Sequence, residues 1–489
     1  MFSILHITDL HRAKKDPISN AELLSALISD RESYEREDPP IRPPDAIIVS
    51  GDIIQGVGLG DLDYEKELER QYEAAEEFLA ELTDLFLDGD RSKVVIVPGN
   101  HDIDWNVARA AMSLTDNTEG KLILPSVLHE PNSKDRWDWK SQQLFEISDP
   151  AGYKRRFAPF WAFFEKFYSG VEDLLRVDPW SDANLYSLDE GRIAVAAFNS
   201  CASNDCFAFH GEIPREVIAK AHLDLKGLGS WFLRIAVWHH DIEGPPHRSD
   251  YMDPDIVRGM IGRGYRLGLY GHQHRTQITP QHAHLPDRET MAIASAGSLC
   301  AGSRELPTGA LRGYSIVEIN DSYTGARVHV REMAVANLFS RAHLNSFGGR
   351  SFVDLEWTIP KDAAGRPEDP ETERRGLRIA QAETALYSDR DPQKALDLIA
   401  SIDLDADGFV RQLAVEAARV LGDDAKLAGL IGIPTTIEEL VLKFDAELRS
   451  GAKAAAAATL NDHAGRLALP DALRADMGAR LKLNNWTGI

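Results

Sequence analysis

The chain has 489 residues, which is enough for two or three domains, and 43% of them are hydrophobic, which excludes global disorder. It has 77 acidic and 54 basic residues, and its formal net charge of −23 argues against a protein that binds long polyanions through clustered Lys and Arg. A bound metal reverses the local charge of a site, so this balance does not exclude a nuclease.

The cysteine content indicates a reducing compartment, and the hydropathy indicates a soluble protein. Cys201, Cys206 and Cys300 are an odd number without metal-ligand spacing, and we expect them to be small buried hydrophobic residues. No apolar run is long enough to span a membrane, and no signal peptide precedes the first predicted strand. We therefore expect a soluble, cytoplasmic protein without a membrane partner.

Apolar runs alternate with amphipathic segments in the first hundred residues. Residues 2–8, 46–50 and 94–97 have the continuous apolar pattern of buried parallel strands. Between them, apolar residues at helical spacing predict helices over residues 19–36 and 64–87. The second helix is strongly acidic, which favours a solvated outer face, and the alternative is a docking surface for a basic partner.

An aromatic-rich insertion follows, over residues 105–185. Phe160, Phe164 and Phe167 recur there at helical spacing, which favours packing in a core. The alternative is a cap over a catalytic site, in which aromatic rings stack on nucleobases.

The rest of the chain contains further strands and then only helices. Apolar runs predict strands over residues 192–199, 231–238, 265–270, 292–295, 314–319, 326–330 and 352–359. Strands that alternate with helices predict a layered α/β sandwich. Residues 361–373 have the polar composition of a linker with Pro and Gly. Helical patterns follow, one beginning at Asp391-Pro392 and a later one at a capping box formed by Thr436 and Glu439.

Side chains that bind metals follow five of the apolar runs. In chain order they belong to Asp9-Leu10-His11, Gly51-Asp52, Asn100-His101-Asp102, His239-His240-Asp241 and Gly271-His272-Gln273-His274. Because ligands collect beyond the carboxyl ends of parallel strands, five such strand ends indicate one shared metal centre.

These motifs, in this order, resemble those of the calcineurin-like metallophosphoesterases. The pattern is Asp-x-His, Gly-Asp, Gly-Asn-His-Asp, His and Gly-His-x-His, and it extends from residue 9 to residue 274. We therefore expect an α/β fold, with a four-layer αββα metallophosphoesterase sandwich over residues 1–335. A strand and linker over residues 336–373 and an α-helical accessory domain over residues 374–489 would follow.

The resemblance also implies a role for each residue of the centre. The expected ligands are Asp9, His11 and His274 for a first divalent metal ion and Asn100, His239 and His272 for a second. Asp52 would bridge the two ions, with one carboxylate oxygen for each. The residues alone do not decide between His239 and His240, and the family pattern favours His239.

His101 and Asp102 are the expected catalytic residues. His101 resembles the histidine of the family that contacts phosphate and protonates the leaving group, and Asp102 would keep its imidazole charged. Nitrogen and oxygen ligands without a thiolate favour manganese, with iron or zinc as alternatives. Two such ions neutralise phosphoryl oxygens and acidify a bridging water.

The function predicted in this way is metal-dependent hydrolysis of a phosphodiester, at nucleic-acid ends or in a small nucleotide. One alternative is a phosphomonoesterase that acts on phosphoproteins or nucleotides. Another is a signalling or defence protein whose C-terminal helices recruit a protein partner or self-associate. A nucleic-acid substrate would need a basic path. The candidate residues for that path are Arg12, Lys14, Lys15, Lys154, Arg155 and Arg156.

Overall fold

The computed structural model describes most of the chain. The described residues are 1–13, 17–115, 133–172, 174–243, 250–282, 289–302, 305–333, 335–344, 348–357, 378–379, 381–402, 404 and 408–483. Of these, the residues up to 357 form one compact unit, and those from 378 onward form a second.

Strands dominate the first unit. They are β1 (Phe2–Ile7), β2 (Ala46–Ser50), β3 (Val94–Val97), β4 (Met112–Leu114), β5 (Asp135–Asp138), β6 (Gln143–Ile147), β7 (Ala183–Leu188), β8 (Ile193–Phe198), β9 (Leu233–Val237), β10 (Leu267–Tyr270), β11 (Gln277–His282), β12 (Thr290–Ser295), β13 (Gly313–Ile319), β14 (Gly325–Met333), β15 (Phe339–Arg341) and β16 (Phe352–Glu356).

The helices are distributed over both units. Those of the first are α1 (Asn20–Arg31), α2 (Tyr64–Leu87), α3 (Trp105–Ala110), α4 (Pro150–Lys154), α5 (Ala158–Phe167), α6 (Arg215–Leu228) and α7 (Pro254–Ile261). Those of the second are α8 (Pro392–Ile399), α9 (Gly408–Leu421), α10 (Asp424–Ile431), α11 (Ile437–Arg449), α12 (Lys453–His463) and α13 (Asp471–Leu483).

Two mixed sheets form the centre of the first unit. The first has the order β15-β14-β13-β1-β2-β3, with β16 beside β14, and the second has the order β11-β12-β10-β9-β8-β7. In the first sheet β1, β2 and β3 are parallel, and in the second β8, β9, β10 and β12 are parallel. Parallel strands therefore carry all the predicted metal-binding motifs, and their carboxyl ends lie along one edge of each sheet.

The two sheets share one hydrophobic core. Residues of β1 to β3 are buried on both faces, which explains their uninterrupted apolar sequences. The same buried cluster contains Ile48 of the first sheet, Ile235 of the second, and side chains of α1, α2 and α5. On the second sheet, α6 packs against β7. The predicted αββα sandwich is confirmed.

The aromatic side chains of α5 belong to this core. Phe160, Phe164 and Phe167 are buried, and Phe160 and Phe164 contact the ring of Trp161. The prediction of core packing is therefore right, and these rings are not available to stack on a substrate. The insertion also contains a three-stranded antiparallel sheet in the order β4-β6-β5, which the sequence did not predict.

The second unit is helical, as predicted, and each of its helices from α8 to α13 packs against the next. The side chain of Asp391 accepts a hydrogen bond from Lys394 N (2.9 Å), and Thr436 caps α11 by accepting from Glu439 N (3.1 Å). The Glu439 carboxylate completes the cap one residue earlier than expected, at Thr435 N (2.6 Å).

Two expectations about cysteines and membranes can be compared with the structure. All three cysteines are free; Cys201 and Cys300 are buried, as expected, whereas Cys206 is only partly buried. Among the described helices, none combines the length and the apolar composition that crossing a membrane requires.

Candidate metal centre

The ends of β1 and β2 meet through their backbones. Asp9 N donates to Gly51 O (3.0 Å), and His11 N donates to Asp52 O (3.0 Å), so the segment after β1 continues to pair with the segment after β2. In the second sheet, Gly271 N donates to His239 O (3.0 Å). These bonds bring the predicted ligands of each sheet together.

The backbone is strained at five of the predicted ligands. Asp9, His11, Asp52, His272 and His274 have φ angles between +46° and +76°. Residues with a Cβ avoid this left-handed region, and such strain persists only where the surrounding structure imposes it, most often at functional sites. Five strained residues in one cluster identify this edge of the sandwich as the candidate functional site.

The first group of ligands consists of Asp9, His11, Asp52 and His274. One ligand atom from each lies within 4.8 Å of the others. The Nε2 atoms of His11 and His274 are 3.1 Å apart, and His274 Nε2 is 3.3 Å from Asp9 Oδ1. That oxygen is buried and accepts no hydrogen bond from the described residues.

The second group consists of Asn100, His239 and His272. Asn100 Oδ1 is 2.9 Å from His272 Nδ1 and 3.0 Å from His239 Nε2. The two nitrogen atoms are themselves 3.3 Å apart. Three potential ligand atoms thus converge on one place, as they do around a cation.

Asp52 lies between the two groups. Its Oδ2 is 3.2 Å from His239 Nε2 and 3.7 Å from His11 Nε2, so a single oxygen faces both groups. Its other oxygen accepts a hydrogen bond from His101 N (2.8 Å). The sequence-based prediction that each oxygen faces one ion is therefore wrong, because the turn after β3 occupies Oδ1.

Backbone carbonyl groups orient three of the imidazoles. In each case the carbonyl accepts a hydrogen bond from Nδ1, which leaves Nε2 directed into the site. The pairs are His239 with Ser50 O (2.8 Å), His274 with Glu305 O (3.0 Å) and His101 with Gln55 O (2.7 Å).

The buried charges of the site stabilise one another. Burial opposes the charge of Asp52, but His239 and His101 keep the pKa of its carboxyl well below the ordinary range. Burial likewise opposes a charge on His239, but Asp52 and Asp9 raise its pKa to about 9. The buried carboxylates of the site therefore favour a positive charge beside them.

The two adjacent histidines after β9 have different environments. His239 Nε2 belongs to the second group, whereas His240 Nδ1 lies 2.9 Å from Ser200 Oγ. Burial and the neighbouring imidazoles lower the pKa of His240 well below its ordinary value. The geometry thus brings His239, and not His240, to Asn100 and Asp52.

Asp102 does not contact the imidazole of His101, so the expected ion pair is wrong. The Asp102 carboxylate is buried and accepts hydrogen bonds from Gly99 N (2.8 Å), Ile53 N (3.2 Å) and Ile54 N (3.3 Å). The backbone of the turn directs the Asp102 carboxylate away from the site, and His101 Nδ1 donates its hydrogen bond to Gln55 O instead. Asp102 links the segments after β2 and β3.

Glycines allow these segments to approach closely. A Cβ added at Gly99 would overlap Asp52 N and Oδ1 and lie 2.8 Å from Asp52 Cγ. A Cβ at Gly271 would overlap Thr8 Oγ1 and lie 2.9 Å from Asp9 Oδ2. Any side chain at either position would therefore displace a predicted ligand.

Two contributors to the site were not predicted. Ser200 Oγ accepts a hydrogen bond from His239 N (3.1 Å) and fixes the position of the histidine pair. Gln55 Nε2 donates to Glu305 Oε1 (2.8 Å), which joins the two loops whose carbonyl groups orient His101 and His274. Ser200 follows β8, so its position after a strand was the signal that the sequence offered. The signal was missed because serine is not a common metal ligand.

Two of the six proposed basic residues are buried. Arg12 is 0% exposed and donates to Ile18 O (3.2 Å) and Asn20 Oδ1 (2.8 Å). Arg156 is 3% exposed, and its guanidinium is bonded to backbone carbonyl groups. Neither can contact a nucleic-acid backbone, so this part of the prediction is wrong. Lys14 and Lys15 lie outside the described residues, and Lys154 and Arg155 are exposed.

The two groups fit divalent metal ions. His274 Nδ1 bonds to a carbonyl, so its Nε2 faces His11 Nε2 and Asp9 Oδ1. The buried Asp9 Oδ1, which accepts no hydrogen bond from the described residues, and the convergence of ligand atoms on Asn100 Oδ1 mark two places that a cation fits. The donors are nitrogen and oxygen, which suits manganese, iron and zinc.

The chain is similar to a known protein family and to several solved structures. A family model described as calcineurin-like phosphoesterase matches residues 2–276. No curated protein sequence matches the chain. Among solved structures, the structure of PhoD is similar to that of this chain, with a TM-score of 0.41. The identity is 11%, over 79% of this chain and 78% of the PhoD chain.

Two other solved structures are similar to the chain. One is described as a 5′-nucleotidase from Staphylococcus aureus, with 10% identity over 77% of this chain and a TM-score of 0.33. The chain spans 58% of the length of that protein. The other is the calcineurin-like phosphoesterase YfkN from Bacillus subtilis, with 12% identity and a TM-score of 0.27. The similarity covers 82% of this chain and 99% of that one.

Proposed function

Because the chain belongs to the calcineurin-like phosphoesterase family, we propose that it is a phosphodiesterase that uses two divalent metal ions at the site between its sheets. Membership of the family supports phosphoester hydrolysis and the use of divalent metals as parts of this proposal. The observation that supports two ions is the position of Asp52 Oδ2, which faces one group of ligands on each side.

The residues of the site divide into two sets of ligands and a bridge. One ion would be bound by Asp9, His11 and His274, the other by Asn100, His239 and His272, and Asp52 would contact both. Such ions, when bound, neutralise the phosphoryl oxygens and lower the pKa of a water molecule. Manganese is our first choice, and iron and zinc are the alternatives.

His101 is the proposed acid. Its main-chain N–H fixes Asp52 Oδ1, and its ring Nδ1–H donates to Gln55 O in both the neutral and the charged form. Protonation therefore occurs at Nε2, the ring atom that is not bonded to Gln55. A proton at Nε2 can pass to the oxygen of the leaving alcohol, which would otherwise depart as an alkoxide.

A panel of substrates tests the reaction class. We expect the purified protein with Mn²⁺ to hydrolyse bis-p-nitrophenyl phosphate with a higher kcat/KM than p-nitrophenyl phosphate. Cyclic nucleotides and single- and double-stranded DNA complete the panel. A preference for p-nitrophenyl phosphate would identify a phosphomonoesterase instead. No turnover of any ester with manganese, iron or zinc would refute the proposal.

A further inference from the structure

Two aromatic side chains from distant parts of the chain meet near the metal centre. The ring centroids of Trp105 and Phe209 are 6.0 Å apart, with the ring planes at 59°. Phe209 is 40% exposed, and Trp105 is half-buried. Neighbouring rings that are partly exposed offer apolar surface that a flat aromatic group can cover.

Both rings are connected to the candidate site by short segments. Trp105 begins α3, four residues after His101, and Asp104 caps that helix by accepting from Asn106 N (2.9 Å). Phe209 lies two residues before Gly211, where an added Cβ would be 2.5 Å from His240 Cβ. One ring therefore extends from the His101 side of the centre and the other from the histidine pair after β9.

The buried Arg156 fixes the distance between these two segments. Its carbonyl accepts a hydrogen bond from Asp104 N (2.9 Å), next to Trp105. Its guanidinium donates to Asn204 O (3.0 Å) and Ala202 O (2.6 Å), in the loop that carries Phe209. Asn204 in turn donates to His210 O. The pairing of the rings is thus built into the structure.

The loop that packs against α3 beside Trp105 carries acidic and apolar side chains. The side chain of Asn106 bonds to Gly60 N (2.8 Å) and Gly58 O (3.3 Å), which places the loop after β2 against α3. This loop exposes Asp61 and Asp63, together with Leu62, which is 97% exposed. Carboxylates there repel a phosphate backbone, whereas an uncharged ring is not repelled.

We propose that Trp105 and Phe209 form a subsite for a planar aromatic group of the substrate, a nucleobase or an aryl ring. The substrate is accordingly a small nucleotide or an aryl phosphoester and not a long nucleic acid. This inference rests on the proposed function, because it assumes that the phosphate of the substrate occupies the metal centre.

Matched ligands that differ only in the ring test the subsite by calorimetry with the Mn²⁺-loaded protein. Phenylphosphonate and methylphosphonate, which have no ester bond to hydrolyse, form one pair. Adenosine 5′-monophosphate and ribose 5-phosphate form the other. Stacking on a protein ring changes affinity by roughly 5- to 150-fold, so we expect the ring-bearing member of at least one pair to bind at least about fivefold more tightly.

Substitution of either ring should abolish this preference. In Phe209→Ala and in Trp105→Ala, the ratio of affinities should fall towards one, while the ligand without a ring binds as before. Phe232→Ala and Trp139→Ala, at exposed rings outside the site (50% and 65%), are the matched controls and should retain the ratio. Trp105 also packs against the core. Trp105→Phe, which keeps a ring, should therefore retain the ratio, and Phe209→Ala tests the subsite at an exposed ring, where misfolding is not expected.

The possible outcomes separate this inference from the proposed function. A preference confined to adenosine identifies a nucleobase subsite, and one confined to phenylphosphonate identifies an aryl subsite. Ratios near one for both pairs, or ratios that neither Phe209→Ala nor Trp105→Ala changes, overturn the inference even if esters are hydrolysed. A clear ring preference without hydrolysis of any ester leaves the subsite standing and refutes the proposed reaction.

Discussion

Substitution of Gly99 by Ala should disable the site while largely sparing the fold. The added Cβ would overlap two atoms of Asp52, of which one is the main-chain nitrogen and the other is bonded to His101 N. Neither is the free end of a flexible side chain, so the segment after β2 must move by about 1 Å to restore van der Waals distances. The proposed bridging oxygen would move with it.

A displacement of about 1 Å in a catalytic group costs on the order of 10²-fold in rate, which corresponds to about 2.7 kcal/mol of transition-state stabilisation. Overpacking costs about 1–3 kcal/mol of folding free energy, so the protein should remain folded with a lower Tm. The assay is kcat/KM for bis-p-nitrophenyl phosphate with Mn²⁺, together with metal content and thermal unfolding.

Gly227→Ala is the matched control, because its position in α6 has nothing within 4 Å of the new Cβ. Alanine is the better helix former, so this variant should keep full activity and gain up to about 1 kcal/mol of stability. If Gly99→Ala and Gly227→Ala have the same kcat/KM, the close approach to Asp52 does not position the reaction, and the reasoning fails.

Three other predictions concern individual ligands and the acid. The parent protein should contain close to two equivalents of Mn²⁺, and Asp52→Asn should lose at least one; unchanged metal content in this variant would exclude a bridging role. His101→Ala should retain both ions and lose roughly 10²–10⁴-fold in kcat, as expected for a general acid, and loss of an ion would make it a ligand instead. Elemental analysis should find an ion missing in His239→Ala but not in His240→Ala, and the opposite result would reverse the assignment of the pair.

The strand ends and the long helices could be predicted from the sequence because their signals are local. The apolar spacing of α2 predicted its bounds at Tyr64–Leu87, and the apolar run before Asp9 predicted β1. The strands β4 to β6 are only three to five residues long, and the helix α10 has only eight residues; neither was predicted. Elements this short do not carry enough repeats of a periodic pattern to be recognised.

The roles of buried polar residues could not be predicted because their partners are distant in sequence. Asp102 was expected to contact the adjacent imidazole, but its partners include amides of Ile53 and Ile54. Arg156 was expected at the surface, but carbonyl groups from residues 202 and 204 surround its guanidinium. The choice between His239 and His240 likewise depends on Ser200, which no local pattern connects to them.

The left-handed backbone at five predicted ligands also affects how the protein folds. Each such residue with a Cβ opposes folding by roughly 1 kcal/mol or more, so the five together weaken the native state at this centre. Ions that bind only the folded chain would offset this cost by mass action. A glycine at one of these positions would relieve backbone strain at the expense of a ligand, so a variant can gain thermostability as it loses catalysis. Metal supply would then govern the lifetime of the folded protein as well as its turnover.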